Sequence, residues 1–235
     1  MKKMIKKNTN LQSKSEFLKN LDTNVEKPRG VVNYLNFQIK TLDNIRYYFE
    51  NEAILKVRSI TDIDNNKIVK EMINSGDLEY IGRGILIDTS WAQNDFLIRQ
   101  LVLKTGIYSG STALYLWGLS DEYPYQSYMT FKRGYKLPNR LKEWTDGVVV
   151  RQSNPDILNS FVEKKSVEGT KYQIELYSKE RALVDVLKEG ISSDVINTAY
   201  RRYLKSDKAG VNKLLLTAKK LGSFEKVRNR LEIMI

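Results

Sequence analysis

The chain has 235 residues, 41% hydrophobic and 29% charged, a formal net charge of +11, and neither cysteine nor histidine. Its length suits one large domain or two small ones, and its composition is that of a folded globular protein. The missing residue types exclude disulfides, Cys/His zinc sites, Ser-His-Asp and Cys-His nucleophiles, and imidazole acid–base chemistry.

No apolar run approaches the roughly 20 residues of a membrane helix. The basic start MKKMIKKNTN lacks the apolar stretch of a signal peptide. With no cysteine, a cytoplasmic location is expected, with no membrane partner. The positive charge points to an acidic partner, nucleic acid first. It is unevenly spread. Residues 1–40 carry nine Lys/Arg against three Asp/Glu, residues 41–90 six against nine, and residues 91–235 twenty-four against sixteen.

In chain order, residues 1–30 are polar and end in Lys27-Pro28-Arg29-Gly30. They predict a flexible basic arm, with one short helix around Glu16–Leu21, that is either a solvated tail or a contact to nucleic-acid phosphates. Leu42, Ile45, Tyr48 and Phe49 recur at helical spacing, so 41–51 is predicted as an amphipathic helix. A second, shorter helix is placed near 53–59. Asp64 is the expected N-cap of a third, with an apolar stripe of Ile68, Val69, Met72 and Ile73, and Gly76 at its end. The strand-like LEYI and GILID then flank Gly82-Arg83-Gly84.

Helices followed by a two-stranded hairpin are the order of a winged helix-turn-helix. A phosphate-cradling glycine loop would have to open a helix, whereas these glycines lead into another strand. The third helix of such a fold is presented to the major groove, and the wing tip to the backbone or minor groove. Asn65, Asn66, Lys67, Lys70 and Asn74 are therefore the candidate reading residues, and Arg83 the wing contact. Lys56 and Arg58, on the expected second helix, are candidate backbone contacts. Asp62, Asp64 and Asn66 begin like a calcium loop, but Lys67 replaces the turn glycine and Ile73 the closing glutamate. No metal or other cofactor is expected.

A helix over about 94–104 opens the second half. Ser109 to Ser111 are expected to cap a packing helix carrying Ala113, Leu114, Leu116 and Trp117. SYMTF, GVVVRQ and YQIELY are strands, and helices follow at about 179–188, 193–205, 209–220 and 223–233. The fold class is α+β: an N-terminal winged helix-turn-helix, then a mixed sheet-and-helix domain with an all-helical C-terminal tail. Domain limits fall at 1–40 (arm), 41–90 (winged helix) and 91–235. From Ser192 to the C-terminus ten Lys/Arg face four Asp/Glu. Arg201, Arg202, Lys205 and Lys208 cluster there, as a solvated surface or an extension of a DNA footprint.

Three signals in order, the hairpin glycines, then SGSTALYLWGLSDEYP, then Tyr177-Ser178-Lys179-Glu180-Arg181-Ala182-Leu183-Val184-Asp185, carry a resemblance. Over about residues 40–235 the chain resembles the AbiEi-type antitoxins of bacterial type IV abortive-infection toxin–antitoxin systems. The resemblance implies a repressor that binds operator DNA, in the form of inverted repeats, to control its own operon. It also implies neutralisation of a cognate nucleotidyltransferase-like toxin without a stable complex between the two. By their own chemistry, Glu180, Arg181 and Asp185 read as structural, with Arg181 and Asp185 an i,i+4 pair. An enzyme is not expected.

Two other classes stay open. One is a winged-helix protein-interaction module, favoured by the acidic balance of 41–90. The other is a nucleotidyltransferase-like enzyme, because GSTALYL is similar to the start of those enzymes. They need an Asp-x-Asp pair shortly downstream to hold metals, and here the downstream acids are the adjacent Asp121-Glu122.

Overall fold

A computed structural model describes residues 29–50, 52–56, 63–206 and 210–234, with side chains in the helix at 63 described from Lys67 onward. The helix expected at Glu16–Leu21, and Arg58, Asp62 and Lys208, lie outside the described residues. The protein is mixed α+β and divides into two compact units. The first takes residues up to Ile98 together with Ser166–Tyr172; the second takes Arg99–Lys165 and Gln173 onward.

Unit 1 begins with α1 (Val31–Phe49), followed by β1 (Ile54–Lys56), α2 (Ile63–Ser75), β2 (Leu78–Gly82) and β3 (Ile85–Asp88). α1 starts ten residues before the expected boundary at 41, so the end of the predicted arm is helical. The helix expected near 53–59 is absent at 54–56, which form β1. Its residues pair antiparallel with β3, Ile54 opposite Ile87 and Lys56 opposite Ile85. Local pattern cannot reveal a three-residue strand whose stability comes from a partner thirty residues away. α2 begins at Ile63, which puts Asp64 inside its first turn and not at its cap.

The stripe of α2 forms as expected. Val69 and Ile73 are buried with Ile45 of α1, Leu55 of β1, Leu78 and Leu86. Gly76, at φ 94°, ends the helix, and its amide donates to Met72 O at 3.1 Å. β3 lies between β1 and β2 in an antiparallel three-stranded sheet. The Ser166–Tyr172 segment completes the unit. Gly169 O accepts the Ala53 amide at 2.8 Å, and Trp91 Nε1 donates to Glu168 O at 3.0 Å.

The described elements that follow are α3 (Asp95–Leu103), β4 (Ile107–Tyr108), α4 (Gly110–Leu116), β5 (Ser127–Lys132), α5 (Lys142–Thr145), β6 (Val148–Ser153), α6 (Pro155–Leu158), β7 (Val162–Ser166), β8 (Gln173–Tyr177), α7 (Lys179–Val186), α8 (Ser193–Ser206), α9 (Gly210–Lys220) and α10 (Phe224–Glu232). The five-stranded sheet has order β6-β5-β4-β8-β7. β4 is antiparallel to β5 and parallel to β8, while β5 and β6 are parallel. The three expected strands are β5, β6 and β8; β4 and β7 were not expected. Ala113 and Leu114 of α4, Leu183 and Val184 of α7, Tyr200 and Tyr203 of α8, Leu214 of α9 and Val227 of α10 share one buried cluster.

Candidate nucleic-acid interface

The hairpin joining β2 and β3 has a two-residue loop, Arg83-Gly84, with φ 51° and 74°. Positive φ at both central residues belongs to the turn whose twist matches that of the flanking strands, which is why such loops favour glycine and asparagine. Gly82 sits at a register shift just before it, and the Gly84 amide donates to the Tyr80 hydroxyl at 3.2 Å. The turn holds Arg83 exposed at the tip, in a left-handed conformation that a non-glycine residue adopts at some cost.

On α2, Lys67 and Asn74 are exposed, as expected, and Lys70 is half-buried. The side chains of Asn65 and Asn66 lie outside the described residues. Glu71 was not among the candidates, yet it is exposed four residues after Lys67 and three before Asn74. That spacing puts all three on one helix face. The i,i+4 offset from Lys67 was the sequence signal that could have found it. An acid among these residues opposes phosphate contact but can accept from a cytosine amino group. Lys56 is not on a helix. It ends β1, with Nζ 4.8 Å from the ring centroid of Tyr172.

In unit 2 the predicted basic cluster divides. Arg201 and Lys205, one turn apart on α8, are exposed, on the side away from the buried Ile196, Ala199, Tyr200 and Tyr203. Arg202 instead clamps Asp121, with Nη1 donating to Oδ1 at 2.8 Å and Nη2 to Oδ2. These hydrogen bonds hold the Asp121 carboxyl below its ordinary value. Lys213 pairs with Glu180 at 3.1 Å.

The motif at 177–185 is a buried polar knot. Ser178 caps α7 by accepting from the Arg181 amide at 3.3 Å. The Arg181 guanidinium lies 3.3 Å from the Tyr177 ring centroid, donates to Ile157 O at 2.6 Å, and pairs with Asp185 at 3.6 Å. Burial raises the Tyr177 hydroxyl to about 12 and lowers Arg181. Burial alone would raise Glu180, but hydrogen bonds from the backbone, Tyr203, Ser178 and Lys213 outweigh it and leave the carboxyl below its usual value.

The serine expected at the start of α4 is in place, but its side chain does not do the capping. Ser109 occupies the cap position without a side-chain hydrogen bond to the helix. The Ser111 amide donates instead to Glu189 Oε2 at 2.9 Å, and Arg151 pairs with Oε1 at 3.4 Å. Glu189 therefore places its carboxylate at the start of GSTALYL, against the Ser111 amide and Arg151. Among the described residues, no group of three or more His, Cys, Asp or Glu could hold a metal ion.

An aromatic feature also escaped the sequence reading. Tyr115, Tyr123 and Tyr125 form an edge-to-face ladder with centroid separations of 5.5 and 6.2 Å, and Tyr125 is 93% exposed. Spacing could not reveal it, because two of the rings come from the loop after α4. No helix in the described residues is long and apolar enough to cross a membrane. No family model matches the chain, and no curated protein does.

Proposed function

We propose that this protein is the antitoxin of a bacterial type IV abortive-infection system, acting in the cytoplasm as an operator-binding repressor of its own operon. In this reading unit 1 is a winged helix-turn-helix, and unit 2 neutralises a nucleotidyltransferase-like toxin. The observation that carries it is the connectivity of unit 1. A helix bearing Lys67, Glu71 and Asn74 on its exposed face leads directly into a hairpin tipped by Arg83, and the sheet order is β1-β3-β2. In the proposed complex α2 reads the major groove and Arg83 contacts the backbone or minor groove. Arg201 and Lys205 add phosphate contacts.

The acidic balance of residues 41–90 favours a second reading, a protein-interaction module. Binding of purified protein to the DNA upstream of its own gene, measured against a scrambled duplex over a range of salt, separates the two. The repressor reading expects sequence preference and an affinity that falls linearly with log salt. Equal, salt-insensitive binding to both duplexes, or none, would leave the interaction module. Co-expression with a nucleotidyltransferase-like gene from the same operon tests neutralisation, with restored growth the expected result.

A further inference from the structure

The two halves of α1 differ. Thr41 and Ile45 are buried in the core of unit 1, with Tyr48 and Phe49 packed against it. Residues 31–40 contain no buried side chain. Their sequence, VVNYLNFQIK, is rich in β-branched and aromatic residues, which form helix poorly. A helix much below about 12–15 residues is marginal in water even with good helix formers. This half therefore needs burial that unit 1 does not provide.

Val32, Leu35, Ile39 and Leu42 are each more than half exposed, and their spacing of three, four and three residues is that of a heptad seam. At about 100° per residue the seam is centred roughly 120° round the helix from Thr41 and Ile45, so packing on the core leaves it open. The residue types select the occupant. β-branched residues at the first heptad position with leucine at the fourth favour two parallel strands. Val32 and Ile39 take the first, Leu35 and Leu42 the fourth. Lys40, Asp43 and Arg46 are the only charges on α1, so the seam itself brings little like charge together.

We propose that α1 is a dimerisation helix, paired in parallel with α1 of a second copy through Val32, Leu35, Ile39 and Leu42. A two-fold pair would present two α2 helices and two hairpins, which suits an operator of inverted repeats. The pairing itself does not depend on the DNA reading.

The lack of cysteine makes any introduced thiol unique. The full chain carrying Leu35→Cys should oxidise to a covalent dimer at least tenfold faster than Asn33→Cys, which is also exposed but lies off the seam. Parallel pairing brings residue 35 against its own counterpart. Equal rates for the two variants, or no cross-linking in either, would overturn the proposal. In sedimentation equilibrium the wild type should run at twice the 27.3 kDa of the chain, and Leu35→Lys/Leu42→Lys at the single mass. A monomeric wild type, whether its own N-terminal segment or another protein covers the face, overturns it as well. Both measurements are made without DNA. A dimer that ignores upstream DNA keeps this inference and removes the operator reading, and a monomer that binds that DNA does the reverse.

Discussion

The carboxylate of Glu189 fills the space above Gly110. Gly110 has φ 51°, and a Cβ built there would fall on the Glu189 carboxylate. Side chain and glycine are fitted to each other across 79 residues of sequence. Gly110→Ala must displace a buried acid that also accepts from Ser111, and it puts a side chain in a left-handed conformation. It should destabilise the protein by about 1–3 kcal/mol in chemical denaturation. Combining it with Glu189→Ala should recover part of the loss, because the clash is then gone. An unaltered midpoint for Gly110→Ala would show that Glu189 is not held there.

Burial raises the Glu189 carboxyl above its ordinary 4.5, against the opposing effects of Ser111 and Arg151. The folded state then holds this proton more tightly than the unfolded state does. Its contribution to stability is full below pH 4.5 and is lost as pH rises through the folded value. Glu189→Gln keeps an acceptor for the Ser111 amide but cannot ionise. Stability curves for the two proteins should differ in slope over that window, with the variant flatter. Parallel curves would contradict the assignment.

Arg83 can be removed without breaking its turn. Asparagine tolerates positive φ better than most residues. Arg83→Asn should therefore match or exceed the wild type in thermal stability while weakening operator binding and reducing the salt slope by about one. If Arg83→Asn binds like the wild type, the hairpin tip makes no contact.

The Arg202–Asp121 clamp separates two adjacent arginines. Arg201→Ala and Lys205→Ala should each lower the salt slope by about one, because a lost phosphate contact releases one fewer counterion. Arg202→Ala should leave the slope unchanged, since its charge is already matched by Asp121. Equal effects of Arg201→Ala and Arg202→Ala would mean that the clamp opens on DNA.

Glu71 tests reading against attraction. Glu71→Gln removes an acid from the face shared by Lys67 and Asn74. Affinity for random duplex should rise while the preference for the operator over random duplex falls, with about 1–3 kcal/mol of discrimination lost at one base pair. A uniform gain on all sequences would mark Glu71 as a bystander.

Sequence alone determined the features that are local. Alternation on either side of Gly82-Arg83-Gly84 gives a hairpin wherever it is placed, because strand period and turn chemistry act over a few residues. The stripe Ile68-Val69-Met72-Ile73 is legible for the same reason, as are the four helices from Lys179 onward. Tertiary structure decided the rest. Ile54–Lys56 is a strand only because β3 supplies its hydrogen bonds. Ser166–Tyr172 belongs to unit 1 because residues far away in sequence hold it there: Ala53 and Trp91 bind its carbonyls, Glu52 accepts the Lys171 amide, and Lys56 lies over Tyr172. The partners of α4, Arg202 and Lys213 are Glu189, Asp121 and Glu180, from 33 to 81 residues away. Heptad spacing in Val32–Leu42 was present in the sequence, but it gained meaning only once the fold left that face uncovered. Periodicity records what a segment can bury, and only the folded chain decides which partners bury it.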